Sequence, residues 1–250
     1  MDLVLEIVGL IFIGFIAGGI NTIAGGGSLL TLPILIFLGL PPNVANGTNR
    51  IAILFQNIFT TAGFKSKGVI TFPFSIYIGV AALVGSLIGT QIAVDIKGET
   101  FNKILALIMV IIVFYMVFKP KTTIENAIEK TSGKHLWISI LLFFFVGIYG
   151  GFIQAGVGFI ILLVLSSVNN LSLVKSNAVK VTVVLIYTIA SVIVFAYNDK
   201  IDWQMGLTLA IGNAAGGWFA SRWSVNKGDG LVRKFLIVMV IIMAIKLWFF

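Results

Sequence analysis

The chain has 250 residues, of which 59% are hydrophobic and only 10% charged, with a mean hydropathy of +1.10. Soluble domains carry about 25% charged residues, so a water-facing globule is excluded and most of this surface must meet lipid. The net charge of +8 comes from basic residues scattered through polar joints; they never cluster beside exposed aromatics, which excludes nucleic acid as a partner and leaves membrane orientation as their role.

The start Met1-Asp2-Leu3-Val4-Leu5-Glu6 holds two acids and no Lys or Arg, so it lacks the basic region of a cleaved leader and the first apolar run is expected to be retained. That run covers residues 3–38 and is broken by Asn21-Thr22-Ile23-Ala24-Gly25-Gly26-Gly27-Ser28. Apolar runs follow at 47–64, 71–94 and 101–118. A polar joint from Lys119 to His135, rich in Lys, Glu, Thr and Ser, reads as a solvated linker. A second interrupted run, 136–168, breaks around Gln154-Ala155-Gly156-Val157-Gly158 and is followed by runs at 178–197, 203–221 and 231–250. Each uninterrupted run approaches the ~20 residues that cross a ~30 Å hydrocarbon layer.

The two sets of runs are copies of one unit. An offset of 133 residues carries Gly14, Gly18 and Gly25 onto Gly147, Gly151 and Gly158; an offset of 127 carries Gly85 and Gly89 onto Gly212 and Gly216. Asn46 falls on Asn177 and Asn49 on Lys180. The expected organisation is a first repeat at 1–119, a cytoplasmic linker at 120–135 and a second repeat at 136–250.

Whether the interrupted run crosses once decides the topology. A single crossing gives four spans per half, both halves oriented alike, and splits the basic residues 7 against 9 between the two sides. A hairpin or double crossing inverts the copies and splits them 12 against 4. Because Lys and Arg of short loops favour the cytoplasm, the second arrangement is preferred, with both termini outside. The predicted fold is thus an all-α integral membrane protein of two inverted-topology repeats, each with a broken or re-entrant first helix, and about 8 to 10 transmembrane segments. Inverted repeats with broken helices characterise carriers, in which one packing opens outward and its mirror inward.

Glycines in series weaken a helix by roughly 1 kcal/mol each relative to Ala, and unpaired backbone is intolerable against lipid, so both breaks are expected to line a cavity. There Asn21, Thr22 and Ser28 offer hydrogen bonds, Gly25, Gly26 and Gly27 admit a ligand close to main-chain N–H groups, and a half-helix starting near Ser28 aims its positive end inward. The second break supplies Gln154, Gly156 and Gly158.

Pro41 and Pro42 should open the next helix, placing Asn46, Arg50, Asn57 and Thr61 in a polar stripe. Ser176, Lys180, Tyr187 and Ser191 form the matching stripe, with Asn177 and Lys180 at the positions of Asn46 and Asn49. Arg50 and Lys180 would then lie roughly 10 Å inside the membrane. Buried cations mark a pathway or a partner, and every acid lies near a span end or in a joint, so an anionic substrate is the expected counter-charge. The alternative is snorkelling to headgroups.

With no Cys and one histidine, His135, at the end of the linker, there is no activated nucleophile, metal cluster or nucleotide loop; no cofactor, metal or catalytic residue is expected. A lipid-modifying enzyme or a non-transporting subunit are the competing readings.

Gly18-Gly19-Ile20-Asn21-Thr22-Ile23-Ala24-Gly25-Gly26-Gly27-Ser28-Leu29-Leu30-Thr31-Leu32-Pro33, Gly39-Leu40-Pro41-Pro42 and Ala45-Asn46-Gly47-Thr48-Asn49-Arg50 together resemble the sulfite exporter TauE/SafE family of permeases. The Lys67-Gly68-Val69-Ile70 joint also fits. The resemblance implies transport of sulfite, sulfonates, sulfoacetate or other small organic acids across the bacterial inner membrane. The second half is more degenerate: it lacks a triple glycine, and Lys180 replaces an amide.

Overall fold

The computed structural model describes residues 3–118 and 128–225, and the linker residues 119–127 and the final apolar run at 231–250 lie outside them. Among the described residues there are nine helices and no strand: α1 (Leu3–Ala24), α2 (Ser28–Phe37), α3 (Pro42–Lys65), α4 (Phe74–Asp95), α5 (Gly98–Phe118), α6 (Gly133–Phe152), α7 (Val157–Ser167), α8 (Leu173–Tyr197) and α9 (Trp203–Ser224). The expected boundaries hold where the local chemistry is explicit. Pro42 opens α3 right after Pro41, where a fixed φ and a missing N–H cost nothing. The Ser172 hydroxyl accepts from the Lys175 N–H to start α8, and the Asp202 carboxylate accepts from the Met205 N–H, at 2.9 Å, to start α9.

Four helices among the described residues are long and apolar enough in composition to cross a membrane, at Val4–Ala24, Phe74–Asp95, Gly133–Phe152 and Leu173–Tyr197. With 24 residues α3 is about 36 Å long at 1.5 Å per residue, and seven of its polar residues, Asn46, Thr48, Asn49, Arg50, Gln56, Asn57 and Thr60, are buried. Outward faces carry apolar side chains, such as Phe12 on α1, Val80, Val84 and Leu87 on α4, and Ile193 on α8. Polar inside and apolar outside is the arrangement lipid demands.

The packing pairs fix the helix directions. Close approach at Gly14 to the Leu209 carbonyl and at Gly18 to that of Asn213 sets α1 and α9 running the same way. Pairing of Thr48 with Asp202, Gly217 with Gln56 and Thr60, and Gly63 with Ser221 adds α3 to that direction. In a second group, Gly85 meets the Phe144 carbonyl and Gly89 that of Ile148, so α4 runs with α6. The Ser86 hydroxyl reaches the Tyr187 carbonyl and Thr90 the Ser191 hydroxyl, so α8 joins them. Between the groups α3 and α8 oppose one another: Gly47 abuts Phe195 while Phe64 clusters with Ala178 and Val181.

Since α1 and α3 run the same way, the intervening α2 must carry the chain back. The glycine contacts also repeat at the spacings that align the halves. Gly147 and Gly151 meet Ala82 and Ser86, lying 127 residues before the Leu209 and Asn213 that meet Gly14 and Gly18; Gly212 and Gly216 meet Ile11 and Phe15, lying 133 before the Phe144 and Ile148 that meet Gly85 and Gly89.

Candidate functional site

Both interrupted runs are broken where the sequence places the breaks. The Gly25 N–H closes the last turn of α1 on the Asn21 carbonyl at 2.9 Å, and Gly25 then takes φ +81, a conformation open to glycine at no steric cost. A methyl group on Gly27 would lie 2.2 Å from the Ala17 carbonyl oxygen and 2.5 Å from Asn21 Cβ, whereas an unbroken helix would separate residues 17 and 27 by about 15 Å. The chain therefore doubles back. Ser28, buried, begins α2, whose first bonds run from Leu29 to Gly26 and from Leu30 to Gly27, both at 3.0 Å. In the second half α6 stops at Phe152; Gln154 takes φ +66 and Gly156 φ +71 before α7 starts. A non-glycine residue held left-handed stores about 1–3 kcal/mol and survives only where its surroundings insist on it.

The breaks touch. A methyl on Gly25 would lie 2.4 Å from Gly158 Cα, and one on Gly158 would lie 2.3 Å from Gly25 Cα. At that point main chain meets main chain with no room for a side chain.

Each broken helix is capped by a cation from the other half. The Arg50 guanidinium, fully buried on α3, donates through Nη1 to the Gly150 carbonyl at 3.0 Å and through Nη2 to the Gly151 carbonyl at 2.6 Å, while Asn46 Nδ2 donates to the Phe152 carbonyl at 2.8 Å. Those are the last three carbonyls of α6. On α8, Lys180 Nζ donates to the carbonyls of Asn21 and Thr22 at 2.8 and 2.9 Å and to Asn177 Oδ1 at 2.6 Å, and Asn177 Nδ2 donates to the Ile23 carbonyl at 2.9 Å. A helix end leaves its last carbonyls unpaired and carries about half a negative charge; a cation with an amide three or four residues away satisfies both needs. No carboxylate pairs with either cation among the described residues; their hydrogen bonds go instead to helix-end carbonyls and side-chain amides, which a search for acids cannot find.

Around the caps lie two hydrogen-bonded clusters without charge of their own. Asn21 Nδ2 donates to Gln56 Oε1 at 3.0 Å, Gln56 Nε2 to the Thr22 hydroxyl at 3.4 Å, and Thr22 and Thr60 approach to 3.4 Å. Opposite, the Tyr187 hydroxyl donates to Gln154 Oε1 at 3.0 Å, which also accepts from Arg50 Nη1 at 3.4 Å, while Thr90 and Ser191 pair at 2.8 Å. Asn49 Oδ1 accepts from Thr31, one turn into α2, at 2.6 Å. Its Nδ2 and Arg50 Nε are buried N–H donors with no acceptor.

Thus Asn21, Thr22, Gly25, Gly26, Gly27, Ser28, Asn46, Asn49, Arg50, Gln154, Gly156, Gly158, Asn177 and Lys180 all lie at the breaks or their caps. Asn57 does not join them; its Nδ2 bonds the Ile53 carbonyl of its own helix at 2.8 Å. Sequence reasoning passed over Thr31, Gln56, Thr60 and Thr90; the i, i+4 spacing of Gln56 and Thr60 was the available signal.

Paired helix breaks stapled by buried cations inside an apolar shell define a class, the polytopic membrane proteins built around discontinuous helices. The sulfite exporter TauE/SafE family model matches residues 10–247, and the chain belongs to that family. It is 28% identical over 248 residues to a probable membrane transporter protein of Haemophilus influenzae, covering 99% of this chain and 96% of that one. It is 24% identical to the probable membrane transporter protein ORF9 of Sinorhizobium sp (98% and 94% covered) and 26% identical to the probable membrane transporter protein YfcA of Escherichia coli K12 (95% and 88% covered). No solved structure matches the chain. The family and these relatives are described as exporters or transporters, not enzymes.

Proposed function

We propose that this chain is a carrier of small organic or sulfur-containing anions, sulfite, sulfonates and sulfoacetate-like acids among them, in the bacterial inner membrane. It works by alternating access between two inverted-topology repeats, 1–119 and 136–250, joined by a cytoplasmic linker at 120–135, with both termini outside and a segment count in the range of 8 to 10. The opposed directions of α3 and α8, the return of the chain through α2 and the repeated glycine contacts support the inversion. The predominance of basic residues on the linker side supports the orientation.

One observation carries the reading: two buried cations stand beside two touching helix breaks with only neutral oxygens and, for Arg50, the Phe195 ring as partners among the described residues, and two buried N–H donors, Asn49 Nδ2 and Arg50 Nε, remain unfilled. Helix-end dipoles offset about half a charge each, so the interior stays electropositive. An oxyanion supplies both the missing charge and acceptors. Arg50 and Asn49 are its principal ligands, assisted by Ser28 and the start of α2, with Lys180 adding charge; Asn21, Thr22, Asn46, Gln154 and Asn177 hold the surrounding groups. The Gly25 and Gly158 contact is the closed position, and entry of an anion requires it to part.

A thermal-shift series on detergent-purified protein tests the proposal with sulfite, methanesulfonate, sulfoacetate, sulfate, acetate and a neutral sulfone. Stabilisation by one or more sulfur anions or the carboxylate, and none by the sulfone, is expected. An anion panel that leaves the melting temperature unmoved throughout contradicts it.

A further inference from the structure

The two caps differ in one chemical respect. Arg50 keeps its charge at any pH a cell reaches, whereas a lysine can give its proton up and take it back. We propose that Lys180 carries a proton that moves together with the anion, an inference that rests on the anion-carrier reading above.

The geometry supports this in three ways. Lys180 is 2% exposed and has no carboxylate among its partners. Its three acceptors, the carbonyls of Asn21 and Thr22 and Asn177 Oδ1, take all three protons of an ammonium; a neutral amine retains two, so one acceptor is released when the proton leaves. Two of the three acceptors lie in the last turn of α1, immediately before the Gly25 to Gly27 break, and the amine can no longer hold both of them together with Asn177. Loss of one proton therefore loosens the segment whose contact with Gly158 closes the structure. The step is Lys180–NH3+ giving Lys180–NH2 and a proton to water on whichever side the carrier faces, with the anion leaving the same cavity as the local positive charge falls.

Among the described residues no other group near Lys180 is placed to do this. On the helices packed against α8, the ionisable residues are Glu6 on α1, Arg50 and Lys65 on α3, Tyr77 and Asp95 on α4, and Lys134, His135 and Tyr149 on α6, with Lys175, Tyr187 and Tyr197 on α8 itself. None of them is a hydrogen-bond or ion-pair partner of Lys180. Glu6 is fifteen residues from Asn21 along α1, about 22 Å. Arg50 is committed to the other cap, and Tyr187 to Gln154.

The test uses the full chain in proteoliposomes loaded with a pH-sensitive dye, with sulfite, methanesulfonate and acetate as probe anions and methanesulfonate as the decisive one, since it cannot itself carry a proton near neutrality. Wild type should move a proton with each methanesulfonate, so that flux is indifferent to a valinomycin-set potential. In Lys180→Arg, which keeps the cap charged, the dye signal per methanesulfonate carried should fall at least tenfold and net flux become potential-dependent, whatever the change in total flux. If Lys180→Arg does not fold, wild type decides alone. Methanesulfonate flux that is potential-dependent and moves no proton overturns the inference but leaves the carrier reading standing; so does an undiminished dye signal in Lys180→Arg. If methanesulfonate alone is not carried, the same comparison is made with acetate after subtracting its passive leak. Absence of flux for all three anions sinks the carrier reading, and this inference with it.

Discussion

The first and second halves solve one problem with different side chains. Each must end a helix inside the apolar layer, and each borrows a cation and an asparagine from the other half to do it. Yet Lys180 is aligned with Asn49, not with Arg50, and the caps reach carbonyls about one turn apart in the aligned frame, because α6 stops at Phe152 while α1 continues to Ala24. The position of the helix end, not the register of the repeat, decides where charge is needed. Two helix ends can therefore differ in local sequence while keeping the same electrostatics.

The comparison breaks most decisively at the cations. Removing one partner from a buried charged pairing costs about 3–5 kcal/mol, so Arg50→Met should lower stability by that order and abolish anion flux, since the Gly150 and Gly151 carbonyls lose their only charged donor among the described residues. If Arg50→Met melts like wild type, the capping role fails. Under the proposed reading Arg50 holds the fold as well as serving the ligand, so its loss is not a clean transport lesion.

Next in size is the contact of the breaks. Gly25→Ala meets both a left-handed backbone and a 2.4 Å clash, whereas Gly158→Ala meets a clash of 2.3 Å alone. Overpacking costs about 1–3 kcal/mol and the strained backbone about 1 kcal/mol more. Denaturation in detergent should rank Gly25→Ala below Gly158→Ala, and a reversed order would place the strain elsewhere. The smallest change sharpens the asymmetry of the neutral clusters: Tyr187→Phe deletes one bond to Gln154, worth about 1 kcal/mol. A loss several times larger would mean that the Tyr187, Gln154 and Arg50 chain is cooperative.

Much of this was legible in the residues. Asn21 to Ser28 and Gln154 to Gly158 announced the breaks through glycines that follow an amide side chain inside an apolar run, and the prolines at 41 and 42 announced the start of α3. The cations were found through their depth, but their partners were not. A main-chain carbonyl carries no sequence label, so Arg50 on Gly150 and Gly151, over a hundred residues away, is visible only once the halves are packed. Gln56 and Thr60 escaped for a related reason: each adjoins the polar residue assigned to the stripe, Asn57 or Thr61, and its partners, Asn21 and Thr22, come from another helix. The spacing of the glycines, by contrast, predicted which residues approach closely because close packing depends on the missing side chain itself.

The account depends on the two halves entering the bilayer from opposite sides. The chain contains no cysteine, so single replacements can be labelled without background. Val4→Cys at the start of α1 and Lys134→Cys at the start of α6 should be treated with a membrane-impermeant maleimide in intact cells and again after permeabilisation. One site should label only in intact-cell conditions open to the outside, expected to be Val4→Cys, and the other only after permeabilisation. Labelling of both positions from the same side would contradict the opposed arrangement.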